Sequence, residues 1–244
     1  MTDNNFDLSK IDKNLYEIVD LPSKGRCYPK SSPIRRCGGI AVYYLTADDE
    51  NLIYSSHLIE NNGIFDALLN KKIVDKNINP DDLCAADKEA IILWLRRTGY
   101  GNDFPVYGKD FDGTEFTSVV DLSTIEYEEL TLEGDDDGLF THKLPNGDII
   151  KYTYIAKNIN KDVEIPITDY LKQIIKSVNN NTNKNYIYDY IDNMTAEELF
   201  NIKIWYQYTE PKIRHKVNIN TNEEIKEMDI HFSADMFLNK LIDE

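Results

Sequence analysis

Cysteine is scarce in this sequence of 244 residues, which contains only Cys27, Cys37 and Cys84. Their number is odd, and their spacing matches neither a CxxC zinc knuckle nor the framework of a disulfide-rich secreted domain. Two of the three could meet in the folded chain, but reduced cysteines with structural roles are the simpler interpretation. The sequence therefore argues against a disulfide scaffold and does not predict a metal site.

Long apolar runs and basic residues are also scarce. No run approaches the roughly 20 apolar residues of a membrane-spanning helix, and the polar residues 1–5 do not resemble a signal peptide. The 27 lysines and arginines are outnumbered by 43 aspartates and glutamates, giving a formal net charge of -16. Because this charge repels phosphate backbones and anionic membranes, we expect no direct nucleic-acid partner. The lack of a signal and of a membrane-spanning run predicts a product made in the cytoplasm without membrane insertion.

Motifs typical of catalysis and of phosphate or metal binding are missing as well. Gly99 and Gly101 fit the end of a helix, since neither GxxxxGK nor GxGxxG surrounds them. The acidic run at 135–137 lacks the alternating ligands and closing glutamate of a calcium loop. His215 and His231 could face each other across a hairpin, but ordinary cross-strand pairing explains this. We therefore expect no enzyme, no metal site and no cofactor.

The sequence does contain enough apolar residues, 41% of the total, for a packed core. We divide it into three regions: an extended Pro/Gly-containing N-terminal arm (1–38), a helix plus β-hairpin domain (39–160), and a helical segment with a closing β-hairpin (161–244). In the arm, Pro22 and Pro29 disfavour helix. An arm of this kind often docks on a neighbouring protein.

Helices are predicted where caps and apolar spacing coincide. Thr46 caps a helix whose first turn is acidic. The pattern from Pro80 to Arg97 predicts a long helix that forms the spine of its domain. A second helical stretch covers about residues 166–204, with a break at 179–183, and Thr195 starts its last part through a capping box.

Strands are predicted where β-branched and aromatic residues cluster, at 39–45, within 104–154 and in a closing hairpin at 212–232. Asn146-Gly147 predicts a type I′ turn, which requires positive φ at both residues. Residues 133–138 are expected to form an exposed acidic loop. Together these patterns predict an α+β fold of helices and antiparallel β-hairpins.

The two halves of the chain share a helix-then-hairpin order. Trp94 lies twelve positions before Val106, and Trp205 lies twelve positions before Val217. Each tryptophan ends an apolar helix and each valine enters a hairpin, which indicates a degenerate internal repeat packed about a pseudo-twofold axis. Chance similarity is the alternative, because the intervening residues share little identity.

Four motifs occur in a fixed order over roughly the first 105 residues. They are Leu21-Pro22-Ser23-Lys24-Gly25 with Tyr28-Pro29 and Ser32-Pro33, then Leu45-Thr46-Ala47-Asp48-Asp49-Glu50, then Asp81-Asp82-Leu83 with Asp87-Lys88-Glu89-Ala90-Ile91, and finally Arg96-Arg97-Thr98-Gly99-Tyr100-Gly101. This combination resembles the baseplate proteins of T4-type contractile-tailed phages, a family linked to the baseplate hub and its assembly. The segments 214–217 and 232–237 resemble the family's closing hairpin.

The sequence departs from this family at the two predicted hairpin tips. Many relatives carry CxxC pairs there, as in a zinc ribbon, whereas this chain has 107–110 and 218–221 without cysteine. A zinc-dependent property is therefore not implied at these positions, and turn chemistry alone is expected to hold the tips.

The resemblance implies a structural component of the phage baseplate, at or near the central hub. Such a protein is made in the bacterial cytoplasm and localises to the virion tail, where other baseplate and tail proteins are its expected partners; binding to itself is left open. The alternative is a transient hub-assembly chaperone that is not retained in the virion.

The predicted partner contacts are Arg26, Tyr28 and Pro29 in the arm and Arg96, Arg97 and Tyr100 at the end of the long helix. The sequence also contains a concentration of aromatic residues of a type enriched at protein interfaces, of which half could be ordinary core: Tyr186, Tyr188, Tyr190, Trp205, Tyr206 and Tyr208.

Overall fold

The computed structural model describes residues 8–60, 63–109, 113–156, 165–220, 225–230, 232 and 236–237. Over these residues the chain forms eight α-helices and five small antiparallel sheets, which confirms the predicted α+β class. One hydrophobic cluster connects all parts of this fold. No helix in the described ranges is both long and apolar enough to cross a membrane.

The N-terminal part of the chain is built into the core. A 3-10 helix at Leu8–Lys10 precedes strand β1 (Tyr16–Asp20), helix α1 (Pro33–Cys37) and strand β2 (Gly39–Tyr43), and β1 pairs antiparallel with β2. Leu21 is fully buried and Cys27 is 1% exposed. Residues 16–38 of the predicted arm thus form an extended strand, turns and a short helix, and several of their apolar side chains pack into the core, while the division into three regions stays a prediction. Residues 1–7 lie outside the described part.

Four helices follow: α2 (Ala47–Ile53), α3 (Ser56–Glu60), α4 (Ile64–Lys72) and α5 (Ala85–Tyr100). The predicted cap at Thr46 is confirmed, and its backbone N–H donates to Asp49 Oδ2 at 2.7 Å. The long helix begins at Ala85 and not at Pro80, because Pro80–Asp82 is a 3-10 turn and Leu83 and Cys84 are extended. Its buried face includes Ala90, Ile91 and Leu93, so it is central to the core as predicted.

The middle of the chain contains strands β3 (Asp103–Lys109), β4 (Glu115–Asp121), β5 (Tyr127–Glu128), β6 (Phe140–Lys143) and β7 (Ile149–Tyr152). The hairpin predicted at Asn146-Gly147 joins β6 to β7, but its turn is not type I′. Of its residues only Gly147 has positive φ, and its N–H donates to Leu144 O while Leu144 N–H donates to Asp148 O. Asn146 keeps negative φ because its side chain accepts from Asp148 N–H, which forms an Asx turn.

The remaining elements are α6 (Ile167–Ile174), β8 (Ile175–Val178), α7 (Lys184–Asp192), α8 (Ala196–Thr209), β9 (Lys212–Ile213), β10 (Lys216–Asn220) and β11 (Ile225–Asp229). The helical stretch predicted over 166–204 therefore contains a strand. β8 pairs with β7 in the three-stranded sheet β6-β7-β8. The local sequence of β8 does not reveal this pairing, which determines that the segment is a strand. The capping box at Thr195 is confirmed, with Glu198 N–H donating to Thr195 Oγ1 at 3.2 Å.

The sheets connect the predicted second and third regions. β7 pairs with β8, and β5 pairs with β9. The predicted boundary at 160/161 lies outside the described residues. The hairpins β3-β4 and β10-β11 also lie against each other through β4 and β10, and Val106 and Val217 are both buried. The internal repeat itself stays a prediction.

Candidate functional site

The motif that begins at Leu21 folds into consecutive tight turns. Lys24 N–H donates to Leu21 O at 2.9 Å, and Arg26 N–H donates to Ser23 O at 3.0 Å. Gly25 adopts φ 75°, and a Cβ at this position would lie 2.6 Å from Ile34 O. Both the backbone angle and the close approach require glycine at this position. Gly25 therefore helps to fix the shape of the turns.

These turns hold two side chains against the first turn of α5. Ser23 donates to Asp87 twice, from N at 3.0 Å and from Oγ at 2.6 Å, and the Tyr28 hydroxyl donates to Asp87 Oδ2 at 2.5 Å. Tyr28 Oη in turn accepts from Cys84 N–H at 3.2 Å. Ser23 and Asp87 are fully buried and Tyr28 is 2% exposed. We call Ser23, Cys27, Tyr28, Cys84 and Asp87 the buried polar cluster.

Burial sets the protonation of this cluster. It raises the pKa of Asp87, and the hydrogen bonds from Ser23 and Tyr28 oppose that rise. It also raises the pKa of Tyr28 and of the Cys84 thiol far above their ordinary values, with the charge of Asp87 adding to both. Tyr28 and Cys84 are therefore neutral proton donors around one carboxyl group.

Cys27 and Cys84 meet in this cluster although the sequence separates them widely. Both are buried, and their Sγ atoms and a carboxylate oxygen of Asp87 all lie within 4.8 Å of one another. Cys37 is exposed. Sequence reasoning missed this group because its only local signal is the i, i+3 spacing of Cys84 and Asp87 at a helix start. Cys27 comes from a different segment of the chain.

The acidic loop at 133–138 packs around residues 26–35. Gly134 N–H donates to Arg26 O at 3.2 Å, and Lys30 N–H donates to Asp136 O at 2.9 Å. Arg35 donates from its guanidinium to Gly134 O at 2.8 Å. Gly134 and Gly138 are buried. The predicted loop is confirmed, with Glu133, Asp136 and Asp137 exposed, but its backbone also supplies hydrogen-bond partners to residues 26–35.

The residues of the arm that were predicted to contact a partner differ in how deeply they are buried. Tyr28 is buried and hydrogen-bonded to Asp87, so its side chain is part of the core of this chain. The prediction that Tyr28 contacts a partner is therefore corrected. Arg26 and Pro29 are half-buried. Arg26 Nη1 donates to Leu130 O, and its Nε lies 3.5 Å from Glu133 Oε2.

The predicted contacts at the end of α5 also differ among themselves. Arg96 is 2% exposed and donates to Gly101 O at 2.7 Å and to Asp103 O at 3.0 Å. Its side chain therefore binds the backbone that follows the C-terminal end of α5 within the core. The prediction that Arg96 contacts a partner is corrected as well. Arg97 and Tyr100 are half-buried. The Tyr100 hydroxyl donates to Glu50 at 2.6 Å, which joins α5 to α2.

The predicted aromatic surface divides between interior and exterior. The Trp205 indole donates to Tyr152 Oη at 2.8 Å, and the Tyr170 hydroxyl donates to Tyr206 Oη at 2.8 Å, so these rings form a hydrogen-bonded layer under α8. On the opposite side of α8, Phe200, Ile204 and Tyr208 are 66%, 37% and 82% exposed. We call these three residues the outer stripe of α8.

No family model, curated protein or solved structure matches the chain significantly. The geometry above and the resemblance of the four ordered motifs are therefore the grounds for a functional proposal.

Proposed function

We propose that this chain is a structural component of a contractile-tail phage baseplate, at or near the central hub, that binds neighbouring tail proteins. The observation that carries the proposal is that residues from the four motifs resembling that family contact one another. Ser23 and Tyr28 bond to Asp87, and Tyr100 bonds to Glu50. The motifs therefore form one framework, as expected if the resemblance extends to the fold.

The outer stripe of α8 is the surface best suited to binding. Its members follow a spacing of four residues and therefore share one side of the helix. The opposite side holds Ile202, which is 3% exposed, and Trp205, whose indole bonds to Tyr152 of the sheet. Large apolar side chains aligned on an outward helix face favour burial against another protein.

We assign this surface to a different tail protein and not to a second copy. The formal net charge of -16 means that two copies repel each other, whereas a neighbour with basic residues around an apolar patch is attracted. Exposed Glu197 lies in the first turn of α8 and is suited to such a basic rim.

The test is capture of baseplate proteins by the purified full-length chain. The double variant Phe200→Gln and Tyr208→Gln should lose the captured baseplate or tail protein while remaining folded, because both side chains are exposed. The matched control Val119→Thr and Ile225→Thr changes two other exposed apolar residues, 58% and 68% exposed, and should retain it. Failure of the wild-type chain to capture any baseplate protein of its own phage contradicts the proposal.

Purified virions distinguish the structural component from the assembly chaperone. A fixed number of copies per particle is expected for a component. Capture of hub proteins combined with absence from finished particles would instead favour the chaperone. Binding measured together with particle content therefore decides between the two.

A further inference from the structure

The buried polar cluster contains the donor atoms of a metal site. The Sγ atoms of Cys27 and Cys84 and an oxygen of Asp87 lie within 4.8 Å of one another. In a tetrahedral zinc site with Zn–S bonds of about 2.3 Å, two sulfur ligands lie about 3.8 Å apart. The three donors are thus close enough to surround one ion with small side-chain adjustments. We propose that Cys27, Cys84 and Asp87 bind a zinc ion.

The hydrogen bonds to Asp87 leave room for this ion. A carboxylate offers about four lone-pair sites. Ser23 N, Ser23 Oγ and Tyr28 Oη occupy three of them, and the Cys84 thiol is the remaining donor. When Cys84 binds zinc as a thiolate, it releases that site for the ion. Ser23 and Tyr28 then hold the carboxylate in place, as outer partners of metal ligands commonly do.

The charges of the ligands match the ion. Zinc is bound by thiolates and carboxylates, and a divalent ion with two thiolates and one carboxylate sums to minus one. The ion is therefore paired with opposite charge inside the core, which avoids the cost of an uncompensated buried ion.

Two surface pockets reach the cluster from different sides. Cys27 and Tyr28 line a pocket of about 500 Å³ beside Pro29 and Ile34. Cys84 lines a second pocket of about 260 Å³ between the start of α5 and the rings of Tyr154, Tyr170 and Tyr206. These pockets offer routes for the ion during or after folding.

Bound zinc would join two distant parts of the chain. Cys27 belongs to the turns that follow Leu21, whereas Cys84 and Asp87 belong to the start of α5. Cross-linking them through an ion would tie the first motif to the third. Cys37 does not take part, because it is exposed, and it therefore supplies the matched control.

The test is metal analysis of the full-length chain produced in zinc-supplemented medium and freed of loosely bound ions by gel filtration. Wild type and Cys37→Ser should each contain about one zinc ion per chain, whereas Cys27→Ser and Cys84→Ser should contain almost none. A folded wild-type protein without zinc overturns the proposal. So does zinc that persists in both the Cys27→Ser and Cys84→Ser variants.

Cobalt provides a readout that does not depend on the variants folding. Wild-type chain refolded with Co²⁺ alone should show the near-ultraviolet charge-transfer absorption of thiolate-bound cobalt, and Cys37→Ser should show the same intensity. Absence of this absorption from refolded wild type contradicts the site. A peptide map of the metal-free protein that shows a Cys27–Cys84 disulfide would also overturn it.

Discussion

The Tyr28 hydroxyl donates a hydrogen bond of 2.5 Å to Asp87 Oδ2, although 59 residues separate the two in the sequence. Asp87 is fully buried and Tyr28 is 2% exposed. The bond ties the turns that follow Leu21 to the first turn of α5, so two sequence motifs that look independent form one structural unit. A buried carboxylate is stable only while such donors remain, and this makes the pair a sensitive test of the fold.

Removing the Tyr28 hydroxyl should destabilise the protein. Tyr28→Phe takes one donor from buried Asp87 and leaves Cys84 N–H without its acceptor, so we expect a loss of about 2 to 3 kcal/mol in the free energy of unfolding. Urea denaturation measures this loss. Tyr44→Phe removes a hydroxyl that bonds Glu17 at an exposed site and should cost less than about 1 kcal/mol. Equal losses in the two variants would contradict the role of Tyr28.

Lys72 should contribute more than Lys71 to the free energy of unfolding, because Lys72 is buried and Lys71 is partly exposed. Lys72 is 4% exposed, forms an ion pair with Asp49 and donates to Tyr44 O at 2.9 Å. Lys72→Met should cost about 3 kcal/mol of unfolding free energy, since it leaves Asp49 buried with a weaker set of partners. Lys71 also pairs with Asp49, but its side chain is 37% exposed, and Lys71→Met should cost less than about 1 kcal/mol.

Chemical denaturation of the two lysine variants under identical conditions checks this order. A larger loss for Lys71→Met would show that the exposed lysine is the main partner of Asp49. Burial alone would raise the pKa of Asp49, but hydrogen bonds from both lysines and from Thr46 outweigh it and lower that pKa to about 2. Its stabilising contribution is therefore present above its ordinary pKa of 3.8 and is lost as the pH falls towards 2.

Glu210 should give stability an opposite dependence on pH. Burial raises its pKa to about 7 from an ordinary value of 4.5. Between these values the folded chain holds a proton that the unfolded chain has lost, so the free energy of unfolding falls as the pH rises from 4.5 to 7. Glu210→Gln removes this dependence and should stabilise the protein by about 1 to 3 kcal/mol at pH 8.

Urea titrations at several pH values measure the difference between wild type and the Glu210→Gln variant. Exposed Glu197, changed to Gln, is the control and should keep the wild-type slope. If the difference between wild type and Glu210→Gln does not change with pH, then Glu210 does not titrate in this window.

Two glycines with positive φ should tolerate alanine differently. Gly138 has φ 77°, and a Cβ there would lie 2.7 Å from Cys27 O, whereas Gly147 has φ 93° and no atom within 4 Å of its Cβ position. Gly147→Ala should cost about 1 kcal/mol of unfolding free energy through backbone strain alone. Gly138→Ala should cost about 3 kcal/mol, because the clash adds to the strain. Thermal and urea unfolding check this; equal costs would show that the loop moves away from Cys27 freely.

Local sequence patterns were sufficient for much of the secondary structure. Thr46 and Thr195 start helices as predicted, because a cap depends on residues only three positions away. The strand at Ile175–Val178 was missed because its conformation depends on pairing with β7. The turn at Asn146 was assigned to the wrong type because its side chain bonds to the backbone and thereby keeps φ negative.

For the candidate sites, too, the sequence indicated which residues are notable but not which residues they contact. Tyr28 and Arg96 were identified as important residues, but as contacts for a partner, because a sequence does not reveal which side of a segment faces the core. Ser23 and Asp87 belong to the motifs that resemble the baseplate family, but the sequence indicates no role for either side chain. Their contact, like the approach of Cys27 to Cys84, depends on the path of the whole chain.

The sequence by itself determined the acidic surface, the order of the motifs, the α+β class and the main helix caps, because each follows from composition or from residues a few positions apart. Only the tertiary structure decided that the first motif is buried, that Tyr28 meets Asp87, and that the outer stripe of α8 faces solvent. These features depend on contacts between distant segments, whose free energy arises from burial and hydrogen bonding that form only when the chain is folded.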